Sequence, residues 1–268
     1  MGFLERIVRK VRSDTEQPDY DREVPAERGP PPKSLRAALG ERSGRPSVIA
    51  EFKRVSPGSP EPRLPRRSFD GFLQSTDVPE VVGLSCLATR PEFEGAPADV
   101  AELARRSPRP VLFKDFTIGR RQLDVARRAG ASALLLIARL DGLKGTELST
   151  EELADGAHAR GLEVLLELHS EAELSLADRV PADVYGVNVR DLDTLKIDWA
   201  TAERTLRAAG DAGHRPLVGL SGIGSRADAD RFWNAGADAV LVGTSLARSS
   251  DPGRFVRSLL PEEEESHR

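Results

Sequence analysis

The sequence predicts an α/β fold, a single (β/α)8 barrel with an N-terminal helical extension, and three observations carry that prediction. Eight short apolar runs recur between turn signals, most of them continuous rather than alternating, as parallel strands covered on both faces read. Helix-like segments separate them, several closing on glycine, the residue a helix C-terminus favours. The length of 268 residues, 39% hydrophobic and 31% charged, suits a closed barrel, which commonly uses about 250 residues as one domain.

Taken in order, FLERIVRKVRSD sets Phe3, Ile7 and Val11 on one helical face. TEQPDYDREVPAERGPPP is rich in proline and charge and reads as linker, and KSLRAALGE reads as a second short helix. Residues 1–46 are thus expected to form an extension packed on the barrel, residues 47–260 the barrel, and residues 261–268 a solvated charged tail. Strands are expected at 47–53 (SVIAEFK), 81–87 (VVGLSCL), 110–115 (PVLFKD), 133–138 (ALLLIA), 163–168 (EVLLEL), 184–189 (VYGVNV), 216–222 (PLVGLSG) and 239–244 (AVLVGT). Between them GRRQLDVARRAGA, STEELADGAHARGL, WATAERTLRAAG and SRADADRFWNAGA read as helices.

Composition narrows the function. A net charge of -4 and a pI near 5.7 give no basic footprint for nucleic acid or an anionic membrane. Cys86 is the single cysteine, so no internal disulfide forms. No apolar run nears the roughly 20 residues of a membrane span, and the N-terminus lacks a signal peptide's apolar stretch. A cytoplasmic protein acting on a small molecule is expected. Six of the 39 basic residues are lysines; lysine at a strand end in so arginine-rich a chain points to a need for an ammonium that burial can tune.

In such a barrel the chemistry sits at the C-terminal ends of the strands, and the polar residues collect there. In order they are Glu51 and Lys53, Lys114 and Asp115, Glu167 and His169, Asn188 and Arg190, Ser221, and Thr244. Side chains two apart on a strand share a face, so Glu51 and Lys53 stand with Ile49 while Ala50 and Phe52 face the other way. That pair is either an ion pair closing a strand or part of a site, because charges beside a buried strand are costly unless paired or used. LSGIGSRAD and LVGTSLARS each place Gly with Ser or Thr between a strand and a helix. Backbone N–H groups can converge there on an anion, at the loops where barrels frequently hold phosphate.

The stretches VIAEFKRVSPGSP, PVLFKDF, GLEVLLELHSEAEL, YGVNVRDLDTLKIDWATAERTL and LSGIGSRADADRFWNAGADAVLVGTSLARSSDP together resemble the ordered motifs of the indole-3-glycerol phosphate synthase family over most of residues 34–256. The resemblance implies ring closure of 1-(2-carboxyphenylamino)-1-deoxyribulose 5-phosphate to indole-3-glycerol phosphate, with loss of carbon dioxide and water and with no metal or organic cofactor. It implies a small phosphorylated substrate as partner and a monomer or weak homo-oligomer. By position, it makes Lys114 the general acid at the substrate's ketone and Glu167 its partner in proton transfer. Lys53 becomes a phosphate contact and second acid, and Glu51 the group that orients both lysines and the substrate hydroxyls. Asn188 and Arg190 would position the substrate, with Ser56 near its carboxylate. Phe93 and Phe116 resemble the aromatic wall for the anthranilate ring and otherwise read as packing residues. Ser221, Gly222, Gly243 and Thr244 match the phosphate site, and His169 reads as a core residue or one that orients its neighbours.

The chain departs from the family pattern twice. At the seventh strand the family usually carries Ser-Glu-Ser-Gly-Ile, and VGLSGI puts Leu220 in the acid's place. Between the first two strands Arg90 stands where an acid is common. Two alternatives stay open: a paralogue acting on a related aminodeoxyribulose phosphate, and a barrel that binds a phosphorylated ligand without turnover. Joint presence of Glu51, Lys53, Lys114, Glu167 and Asn188 argues against the second.

Overall fold

In the computed structural model, which describes residues 2–25, 33–41 and 45–261, the eight apolar runs are strands. They are β1 (Ser47–Phe52), β2 (Val81–Leu87), β3 (Val111–Lys114), β4 (Ala133–Ile137), β5 (Glu163–Leu168), β6 (Val184–Asn188), β7 (Leu217–Leu220) and β8 (Ala239–Val242). They pair in sequence order, all parallel, and β8 closes on β1. β7 stops two residues before its expected end because Ser221 turns the chain into the left-handed region, with φ 67°. Register keeps the C-terminal ends level: Glu51 lies opposite Ser85, Leu87 opposite Lys114, Ile137 opposite Glu167 and Asn188 opposite Leu220.

Helices α1 (Phe3–Thr15) and α2 (Leu35–Gly40) precede the barrel, and α3 (Phe69–Ser75), α4 (Pro97–Arg106), α5 (Arg120–Arg128), α6 (Thr150–His158), α7 (Leu174–Ala177), α8 (Trp199–Asp211), α9 (Arg226–Asn234), α10 (Thr244–Arg248) and α11 (Pro252–Leu259) follow the strands. Ser68, Ser149, Asp198, Ser225 and Asp251 cap α3, α6, α8, α9 and α11 by accepting a first-turn N–H, each cap contributing about 1 kcal/mol. Along the strands the side chains alternate. Ile49, Leu112, Leu135, Leu165, Val218 and Leu241 fill the barrel, while Val48, Ala50, Phe52, Phe113 and Val240 pack outward on the helices. Among the described residues no helix is long and apolar enough to cross a membrane.

The two leading helices occupy opposite ends of the barrel. Leu35 and Leu39 of α2 join the interior cluster from the N-terminal end. There Glu163, at the start of β5, accepts the Leu35 and Arg36 N–H groups at 2.8 and 3.0 Å and the Ser34 hydroxyl. α1 buries Phe3, Leu4, Ile7, Val8 and Val11 in one cluster with Phe116, Ile118, Leu140 and Leu192, residues that follow strand ends, so it lies over the end where the polar residues collect. The stretch that composition marks as linker is not a loose connection where it is described. Tyr20 and Val24 are buried, and arginines from elsewhere in the chain hold the stretch around Tyr20, a pattern without the periodicity that identifies packed segments. Residues 26–32 of that stretch and residues 262–268 of the expected tail lie outside the described residues.

Candidate active site

At the C-terminal end of the barrel a cavity of about 480 Å³ opens. Glu51, Lys53, Ser56, Phe93, Lys114, Phe116, Glu167, Asn188, Arg190, Ser221, Gly222, Gly243 and Thr244 all line it. Every residue expected to act on or hold the substrate is therefore brought to one wall or another of a single space, while His169 stands beside Glu167 without lining it. Lys53 Nζ lies 3.2 Å from Glu51 Oε1, and the Ser85 hydroxyl donates to Glu51 Oε2 at 3.3 Å. Lys114 Nζ lies 3.8 Å from Glu167 Oε2, and Asn188 Nδ2 donates to Glu167 Oε1 at 3.0 Å. The expected pairing of Glu51 with both lysines is thus narrower in the structure, because Lys114 has a carboxylate of its own across the cavity. Asn188 accepts the Arg190 N–H at 3.0 Å, so one amide fixes both the acid and the loop behind it.

Glu167 is buried to 1% exposure. Burial alone would raise its carboxyl, but the Lys114 ammonium, the His169 imidazole and the Asn188 amide outweigh it and hold the group at about 2. Burial likewise opposes charge on His169, and Glu167 and Glu173 overcome it, raising the imidazole to about 9. Its Nε2 is 3.3 Å from Glu167 Oε1 and its Nδ1 3.8 Å from Glu173 Oε2. Neither contact has hydrogen-bond geometry, so the pairing is one of charge. The alternation continues outward, with Arg139 3.7 Å from Glu173 and 2.7 Å from Asp191. An ammonium beside an ionised buried carboxylate is a proton donor next to a proton acceptor, which is what acid–base chemistry at a carbonyl requires.

The far side of the cavity is built from the loops after β7 and β8. Ser221 and Gly222 both have positive φ, 67° and 73°, which turns the backbone sharply at the loop. A Cβ at Gly243 would stand 2.5 Å from Glu51 Oε1 and 2.9 Å from Lys53 Cδ, so only glycine lets β8 approach the β1 pair. Ser56 and Thr244 share a hydrogen bond of 2.8 Å, which makes their two expected roles adjoin. Arg190 donates to the Leu195 carbonyl at 2.8 Å, and burial lowers its pKa; among the described residues no carboxylate lies within ion-pair distance of it. Phe93 and Phe116 face each other with ring centroids 5.9 Å apart.

Residues 4–259 match the family model for indole-3-glycerol phosphate synthase. The chain belongs to the indole-3-glycerol phosphate synthase family. It is 34% identical over 262 residues to a protein of that name from Exiguobacterium sibiricum, covering 97% of each chain. A Methanopyrus kandleri protein of the same name is 36% identical over 270 residues, covering 96% of this chain and 97% of its own. The thiamine phosphate pyrophosphorylase of Pyrococcus furiosus is similar in fold alone, with a TM-score of 0.57 at 16% identity over 84% of this chain and 96% of that one.

Within the synthase family frame, the two departures have structural settings. Leu220 is buried on the cavity wall beside Asn188. Arg90 lies 3.6 Å from Asp14 and 3.4 Å from Asp19 and donates to the carbonyls of Asp19 and Tyr20 at 2.7 and 2.9 Å. Its partners are in the N-terminal segment rather than in the cavity. Phe3, Leu192 and Leu195 also line the cavity, and the sequence reading missed them. Phe3 was legible as a helix-face residue, but periodicity does not say which surface that face meets.

Proposed function

We propose that this chain is an indole-3-glycerol phosphate synthase, closing the carboxyphenylamino-deoxyribulose phosphate to indole-3-glycerol phosphate with release of carbon dioxide and water. The single observation that carries the reading is Lys114 paired with buried Glu167 in a cavity that also offers facing aromatic rings and a turn-lined end with cations. Lys53 and Arg190, with Ser221, Gly222, Gly243 and Thr244, hold the phosphate. The aryl ring packs against Phe93 and Phe116, and Ser56 and Asn188 orient the carboxylate and the chain hydroxyls. Lys114 donates a proton to the ketone oxygen as the ring carbon bearing the carboxylate attacks the ketone carbon. Loss of carbon dioxide then restores aromaticity, a step that needs orientation and exclusion of water more than a catalytic group. Lys53, the second acid, protonates the departing hydroxyl while Glu167 accepts a proton from the adjacent methylene carbon, so that water leaves and the indole forms, and Glu51 keeps Lys53 in place. The barrel at residues 47–260, with residues 1–46 as an extension upon it, is the unit to which we assign the activity.

Purified protein given that substrate is expected to produce indole fluorescence, and Lys114→Ala to abolish it. Substrate binding without any indole product would sink the reading. Leu220 favours one second reading, an enzyme for a related aminodeoxyribulose phosphate whose hydroxyls need one acid fewer.

A further inference from the structure

Asp115 follows Lys114 directly, and its carboxylate is buried at 3% exposure. Four donors converge on it: the Thr89 hydroxyl at 2.6 Å, Gln122 Nε2 at 2.8 Å, the Phe116 N–H at 2.9 Å and the Tyr20 hydroxyl at 3.2 Å. Three of them belong to the barrel, from the loop after β2, from α5 and from the turn just after β3. The fourth comes from the N-terminal segment, and that segment is clamped. Arg90 holds the carbonyls of Asp19 and Tyr20. Arg121 donates to the carbonyls of Thr15 and Gln17 at 2.6 and 3.0 Å and to Asp21 at 2.6 Å, and Arg128 also pairs with Asp21. The guanidinium groups of Arg90 and Arg121 lie 5.8 and 5.5 Å from the Tyr20 ring centroid. Three arginines from two regions of the barrel thus fix residues 15–21 so that one buried hydroxyl meets the carboxylate next to Lys114.

We propose that Tyr20 is a positioning residue for Lys114, acting through Asp115, so that the N-terminal segment is a working part of the active site. The inference rests on the function proposed above. Neighbouring Cα atoms are fixed about 3.8 Å apart, so a shift of Asp115 moves the stem of Lys114 on one side and the ring of Phe116 on the other. The hydroxyl also favours the ionised form of the carboxylate, whose pKa burial leaves raised. Burial raises Asp115, and its hydrogen bonds oppose that rise. The charged groups around the cluster are Asp14, which repels the carboxylate, and Arg90, which attracts Asp14 and stands beside Tyr20.

Tyr20→Phe keeps the ring and its arginine contacts and deletes only the hydroxyl. It is expected to lower kcat about tenfold with KM within about twofold. The acid limb of the kcat profile should move to higher pH, since the carboxylate has lost a donor. In an Asp115→Asn background the same substitution should have no further effect. A substrate-free readout accompanies these: modification of Lys114 by a small amine-reactive reagent, followed by peptide mass spectrometry, is expected to be at least about threefold faster in Tyr20→Phe, as a loosened stem exposes the amine. A packing role alone would lower the melting temperature and leave kcat, the pH profile and the labelling rate unchanged, and that outcome overturns the proposal. Should the wild type form no indole product, the proposed function fails, and the Lys114 labelling comparison still decides this inference.

Discussion

His169 gives the most quantitative handle on the site. His169→Gln removes a buried cation from between Glu167 and Glu173 while leaving a polar side chain of similar length. The imidazole rises from 6.5 to about 9 on folding, roughly 2.5 units, and at about 1.4 kcal/mol per unit this amounts to about 3 kcal/mol. A raised folded-state pKa contributes stability that is fully present below about pH 6.5 and is lost as pH climbs through 9. Glu167 runs the other way: lowered from 4.5 to about 2, its contribution is present above about pH 4.5 and is lost as pH falls toward 2. The two groups share one interaction, so their contributions are not summed. Urea unfolding at about pH 6 and pH 9.5 should show the wild type losing about 3 kcal/mol more than the variant across that window. On the acid side the variant should destabilise at higher pH than the wild type, because Glu167 has lost a cation. Parallel pH dependences for the two proteins would refute the charge pairing.

Other substitutions test the walls of the cavity. Glu51→Gln neutralises the partner that lies 3.2 Å from Lys53, and is expected to lower kcat by more than about tenfold; steady-state kinetics indistinguishable from wild type would contradict it. Gly243→Ala drives a methyl into the Glu51 carboxylate and the Lys53 stem. It should cost about 1–3 kcal/mol in thermal unfolding and raise KM for the phosphorylated substrate, and a neutral effect on both would show that the β1 pair can give way. Leu220→Glu is expected to raise turnover severalfold by adding a carboxylate to the cavity wall beside Asn188; a loss of turnover would mean that leucine fits a different substrate.

Much of this is legible in the sequence because parallel strands are buried on both faces. Runs such as ALLLIA and EVLLEL have no other economical reading, and a strand that ends in charge must put that charge at a rim. The face split of Glu51 and Ile49 against Ala50 and Phe52 follows from alternation alone, and the clusters divide along it. Two kinds of fact were not legible. Which carboxylate answers which lysine depends on barrel diameter and stagger, so Glu51 looked available to Lys114 when Glu167 is the residue near it. The packing of Tyr20 was hidden because its anchors, Arg90, Arg121 and Asp115, lie far off in sequence. Proline and charge in that stretch signalled only the absence of a regular element.

The pairing pattern also explains how the fold accommodates Leu220. Lys53 is neutralised by Glu51 and Lys114 by Glu167, while the other acids on the wall are spent on neutral donors. Asp115 is surrounded by hydroxyl, amide and backbone groups, and Asp228 accepts from the Gly224 N–H and the Ser225 hydroxyl. Among the described residues of the wall, Arg190 is then the cation left without a nearby carboxylate, and it stands two residues past Asn188, which pairs in register with Leu220. A carboxylate at that place would compete with an anionic substrate for Arg190; leucine leaves the guanidinium to the substrate and removes a hydroxyl contact from the reacting chain. The substitution therefore exchanges transition-state positioning for ground-state binding of an anion, two effects that separate in kinetics because binding that is equal in both states lowers KM without raising kcat. On this argument the gain in kcat expected of Leu220→Glu comes with a higher KM, and a variant in which both parameters improved would show that Arg190 is not the group leucine leaves free.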